Sequence, residues 1–208
     1  MSVLIIGMLF MTKFFLDTCS INALSGLDNT SFAHLRNLLE ESNSELWASH
    51  IQVDERYTKN NSEFGQMCEK AFEVFEKQCV KINLGVTKGA FYNISRYDEF
   101  TYEDDLSGIY KELENELKEC MKEKGKYCSK PFDEKALINN IRDCLIAVTS
   151  TDYDYFITSD ECLFKSWEKV LQKSENRDVL GRISGTKYVE PNPEKILKLL
   201  SDILGIHK

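Results

Sequence analysis

The chain has 208 residues, 34 acidic against 26 basic side chains, a formal charge of −8, 42% hydrophobic residues and only 3 prolines. That length suits one domain with a real core, and the apolar content, with 12 Phe and 9 Tyr, excludes collagen-like, low-complexity and wholly disordered chains. The acidity argues against a protein that coats DNA or anionic membrane by bulk charge, because such affinity comes largely from Lys and Arg releasing counterions, and it leaves a local basic groove open.

Residues 3–11 are almost entirely apolar. The run is too short for a bilayer span and lacks the basic start of a secretory signal, so it reads as a buried strand. Met11 is an alternative start, with residues 1–10 an upstream extension. Phe14, Phe15 and Leu16 form an apolar run closed by Asp17, and Thr18, Cys19 and Ser20 suit a strand-to-helix turn. A central parallel strand is expected there. Ser31 is expected to cap a helix bearing Leu35, Leu38 and Leu39, residues 41–45 read as a polar loop, and residues 46–49 as a second strand.

The pattern turns helical over residues 51–59, and Ser62 can cap a helix with Phe64, Cys68, Ala71, Phe75 and Cys79 on one face. Residues 81–85 form a brief apolar piece. Thr101 and Asp104 resemble a capping box, ahead of a stripe of Leu106, Ile109, Leu113, Leu117 and Cys120. Lys122, Lys124, Lys126 and Lys130 fall with Gly125 and Pro131 in an expected loop, where plain surface lysines are the commoner reading than a phosphate-contacting edge. Asp133 can cap a long helix carrying Leu137, Ile138, Ile141, Leu145 and Val148, and Tyr155, Phe156, Ile157 and Thr158 form a strand. A helix from Glu161, a weak strand over residues 187–189 and an amphipathic helix from Pro193 complete the pattern. Alternating strands and helices predict an α/β fold, a parallel sheet covered on both faces. Seven cysteines without a C-x-x-C pair favour reduced thiols and a cytoplasmic protein over a disulfide framework or a zinc site.

In an open parallel sheet, ligands collect beyond the carboxyl ends of the strands. Asp17 and Asp160 directly follow apolar strands, so neighbouring strands would place two carboxylates at one edge. Neither has a basic residue beside it in sequence, and such a pair calls for a cation. Asp143 lies inside an apolar helix, next to Cys144, Leu145 and Ile146, and Glu55 lies six residues beyond Ser49. Each alone is unremarkable, since an acid near a helix start is commonly a cap or dipole partner. Tyr153 and Tyr155 are candidates for base stacking near this edge. His50 reads as a structural hydrogen-bonder, and Trp47 and Trp167 as packing.

Taken in order, Phe14-Phe15-Leu16-Asp17-Thr18, Ser49 with Glu55, Asp143 with Ile146-Ala147, and Ile157-Thr158-Ser159-Asp160 resemble the PIN (PilT N-terminal) domain family. The resemblance is anchored at residues 13–58 and 134–170. It implies a single PIN-like domain over residues 1–208, an α/β/α sandwich with a central parallel sheet; the long gap from Glu55 to Asp143 departs from the compact members of the family and is read as a helical insertion at about residues 60–130. It also implies a metal-dependent ribonuclease that hydrolyses phosphodiesters by activated water. Asp17, Glu55, Asp143 and Asp160 would be the catalytic acids and ligands of Mg²⁺ or Mn²⁺, Thr158 a hydrogen-bonder to them, and Glu161 an auxiliary acid. The implied partners are an RNA substrate and, in a toxin version, an antitoxin or other protein; a homodimer fits as well, and no membrane is expected. A PIN-like binding module without catalysis is the alternative. Mg²⁺ suits hard oxygen donors and keeps waters while contacting phosphate, so the acid cluster makes chemical sense apart from the family.

Overall fold

A computed structural model describes residues 11–52, 80–83, 87–88, 100–101, 104–125, 134–173 and 185–206. Glu55, the helix expected after Ser62, Lys126, Lys130 and residues 1–10 lie outside the described residues. Five parallel strands form one sheet in the order β3-β2-β1-β6-β7, where β1 is Thr12–Leu16, β2 Ser44–Ser49, β3 Val80–Asn83, β6 Tyr155–Thr158 and β7 Gly185–Tyr188. Two short strands, β4 (Thr87–Lys88) and β5 (Phe100–Thr101), pair separately. The helices are α1 (Thr18–Leu24), α2 (Asn29–Glu41), α3 (Asp104–Glu123), α4 (Glu134–Thr149), α5 (Glu161–Gln172) and α6 (Pro193–Leu204).

Side chains alternate across a strand, so β1 feeds two cores. Phe14 and Leu16 join Leu46, Ala48 and Ile157 beneath α1, α2 and α6. Phe15 joins Phe156 on the other face, beneath Ile109 and Leu113 of α3, Leu145 and Val148 of α4, and Leu163 and Trp167 of α5. Helices therefore cover both faces, as the run of apolar residues in β1 and β6 requires of a doubly buried parallel sheet. No helix among the described residues is long and apolar enough to cross a membrane.

Several boundaries differ from expectation. Asp28, not Ser31, caps α2: its side chain accepts the Ser31 N–H at 2.7 Å. The expected loop at residues 41–45 shrinks to a turn at Ser42 and Asn43, because Asn43 adopts φ 51°, a left-handed conformation that Asn tolerates, and β2 starts at Ser44. Residues 81–83 of the apolar piece belong to strand β3 at the end of the described sheet, where exposed Lys81 hid the pattern, and residues 84–85 lie outside the described residues. β7 starts earlier than the expected strand, at Gly185. Lys122 lies within α3 rather than in a loop, close to the helix C-terminus where its charge suits the dipole.

Candidate functional site

β1 and β6 are neighbours, with Leu16 registered against Ile157, so their carboxyl ends lie side by side. The chain leaves them toward opposite faces: α1 packs in one core and α5 in the other. Such a divergence is a topological switch point, where the crevice of a parallel α/β sheet opens. Asp17 and Asp160 stand at this point, each directly before its helix.

Asp17 is 4% exposed and caps α1. Its Oδ1 accepts the Ser20 N–H at 2.6 Å, and its Oδ2 accepts the Thr158 hydroxyl at 2.5 Å and the Ser159 N–H at 3.1 Å. Burial pushes its carboxyl above the usual range, against the opposing pull of the hydrogen bonds from Ser20, Thr158 and Ser159. No cationic side chain figures among these influences. Asp160, half-buried, caps α5 through Oδ1, which accepts the N–H groups of Cys162 at 2.7 Å and Leu163 at 2.9 Å.

Thr158 ties the two acids together. Its buried hydroxyl donates to Asp17 Oδ2 and accepts the Asp160 N–H at 3.0 Å, so both of its hydrogen-bonding roles are used within the pair. Ser20 adds a link from α1, with its hydroxyl 3.1 Å from that of Ser159. Sequence reasoning missed Ser20 and Ser159. It also missed Gln52, fully buried after β2, whose Nε2 donates to the Leu16 carbonyl at 2.6 Å and whose Oε1 accepts the Ser49 N–H at 2.7 Å and the Ser49 hydroxyl. Gln52 thus fastens the end of β2 to the residue before Asp17.

Asp143 lies half-buried on α4, the helix leading into β6 through a turn at Ser150–Asp152. With burial, its charge pushes the neighbouring Cys144 thiol up. Glu161 is ion-paired: its carboxylate pairs with Lys124 at 2.5 Å and Lys165 at 2.7 Å, and these cations hold it down to about 2. Of the two tyrosines expected near this edge, Tyr153 is buried and Tyr155 half-buried. Tyr153 packs on Phe15 at 4.7 Å within one core, and Tyr155 stacks on Phe14 at 5.3 Å against the other. His50 is fully buried at the end of β2, and Trp167 is fully buried in the core.

Among the described residues, no group of three or more His, Cys, Asp and Glu side chains is close enough to hold a metal ion. The donor chemistry nonetheless fits a hard cation: two carboxylates stand at one edge, and among the described residues the burial of Asp17 is opposed by hydrogen bonds and by no cationic side chain. A shallow pocket lined by Arg36, Glu40, Asn43 and Lys81 sits at the amino end of β2, the edge away from the acids. Neither protein-family models nor curated protein sequences match the chain.

Proposed function

We propose that the chain is a PIN-like, metal-dependent nuclease acting on RNA. The observation that carries this reading is the Asp17–Thr158–Asp160 network: a buried carboxylate with no cationic partner among the described residues, linked through Thr158 to a second acid at the switch point of a parallel sheet. The strand order, with β1 at the centre and crossovers running both ways from it, suits the α/β/α sandwich of that family.

Asp17 and Asp160 would hold Mg²⁺ or Mn²⁺, with Asp143 and Glu55 as the further acids that the resemblance implies. When bound, such an ion supplies positive charge to phosphate oxygens and activates water for in-line attack. Thr158 keeps Asp17 oriented by donating to Oδ2, the Ser20 N–H fixes Asp17 Oδ1, and the N–H groups of Cys162 and Leu163 fix Asp160 Oδ1. One observation favours the alternative of a silent binding module: both acids cap helices, a role that requires no metal.

Asn at both positions separates the two, because Asn also caps helices but is a poorer cation ligand. The Asp17→Asn, Asp160→Asn double variant should stay folded and lose Mn²⁺-dependent cleavage of single-stranded RNA by at least about a hundredfold, the scale on which catalytic electrostatics acts. Calorimetric titration of Mn²⁺ into wild type and Asp17→Asn gives the second reading. Unchanged cleavage by the double variant, or equal ion binding by both proteins, sinks the nuclease assignment.

A further inference from the structure

We infer that Tyr188, backed by Phe164, is a stacking platform for a base of single-stranded RNA beside the acidic edge. The inference deepens the nuclease reading and rests on it for the identity of the ligand. Tyr188 ends β7 in register with Thr158, and Ile157 is in register with Leu16, so Asp17, Thr158 and Tyr188 fall in one row across three strands. Strands lie about 4.8 Å apart, which puts Tyr188 about 10 Å from Asp17. A nucleotide adjoining a phosphate held at Asp17 can lay its base there.

Three observations single out this ring. It is 38% exposed, and Met11 is the other large exposed apolar side chain among the described residues. It sits on half-buried Phe164 of α5, with ring centroids 5.8 Å apart at 41°, so a base meets a platform already held in place. Phe164 lies one turn beyond Asp160, whose carboxylate caps the same helix. The pair therefore shares its supports, β6 and α5, with the acids.

The size of the patch selects the occupant. One part-exposed ring on a half-buried one is far smaller than the roughly 800 Å² per partner of a stable protein interface, but it matches a single base. Any base offers a π-face, so the platform tolerates sequence. A duplex keeps its bases stacked internally and is excluded by the same geometry.

The test compares a single-stranded RNA hexamer with an abasic hexamer of equal charge, bound to the full chain and followed by fluorescence anisotropy with and without Mg²⁺. Wild type should bind the hexamer about tenfold more tightly than the abasic strand, the ratio expected of one stacked base. Tyr188→Ala should remove that preference and Tyr188→Phe should keep it. Equal binding of both strands by wild type, no binding of either, or a preference surviving in Tyr188→Ala overturns the platform. Loss of base preference in wild type together with a Tyr188-dependent change in sedimentation would reassign the ring to a protein contact and overturn it too. Hydrolysis is scored separately with Asp17→Asn, so a failed nuclease reading and a failed platform give different results.

Discussion

Asp17 and Glu161, two acids at the starts of the helices that follow β1 and β6, titrate in opposite senses. Asp17 has its carboxyl raised above 3.8 by burial, so the native state holds the proton more tightly than the unfolded chain. Stability without metal should therefore fall as pH rises from 3.8 through the native value, and Asp17→Asn should remove that fall. Glu161 runs the other way. Held at about 2 by Lys124 and Lys165 against an ordinary 4.5, it contributes stability that is complete above 4.5 and lost as pH drops toward 2. Glu161→Gln should flatten that acid limb in a series of thermal melts at stepped pH, by a small amount because the group is exposed to solvent. A melt series in which Glu161→Gln parallels wild type through the window would refute this assignment. The sequence marks both residues as acids, but their opposite behaviour depends on neighbours it does not reveal: Lys124 lies 37 positions from Glu161 in the chain, and Thr158 lies 141 from Asp17.

At the scale of elements, the helix starts and strand ends carry the site. Asp160→Ala removes the cap of α5 and should cost about 1 kcal/mol in chemical denaturation, whereas Asp160→Asn should cost a few tenths at most. Equal losses in both variants would mean that capping is not what Asp160 contributes to stability. Gln52→Ala leaves the Leu16 carbonyl and the Ser49 N–H without their buried partner and should cost about 2 kcal/mol. It should also weaken Mn²⁺ binding, because the released carbonyl belongs to the residue before Asp17. β1, β2, β6 and the helices from Glu161 and Pro193 were legible because apolar runs and caps are local signals. β3 was not, because Lys81 and Asn83 interrupt its apolar character at the end of the described sheet. The start of α2 was misjudged because Asp28 and Ser31 are both good caps, and the structure uses the first as acceptor and the second as donor. Gln52, Ser20 and Ser159 were invisible as site residues because each acts through contacts between elements distant in sequence.

For the whole molecule, a net charge of −8 and phosphate chemistry are compatible if contact with phosphate runs through a cation rather than a basic surface. Mg²⁺ at a hundred times its dissociation constant should then stabilise the fold by about 2.7 kcal/mol, read as a rise in melting temperature that Asp17→Asn abolishes. Equal rises in both proteins would place the ion elsewhere. The strand order has a further consequence during synthesis. β2 follows β1 closely in the chain, but β6, the partner on the other edge of β1, is synthesised much later, and the Thr158–Asp17 bond spans 141 residues. Closing so long a loop costs entropy before any contact offsets it, and an open strand edge persists on the nascent chain until β6 docks. Thr158 and Asp160 arrive with that docking. On the nuclease reading, the edge at Asp17 is complete only when β6 closes the sheet, so a truncated copy that ends before Thr158 and Asp160 should show no Mn²⁺-dependent cleavage.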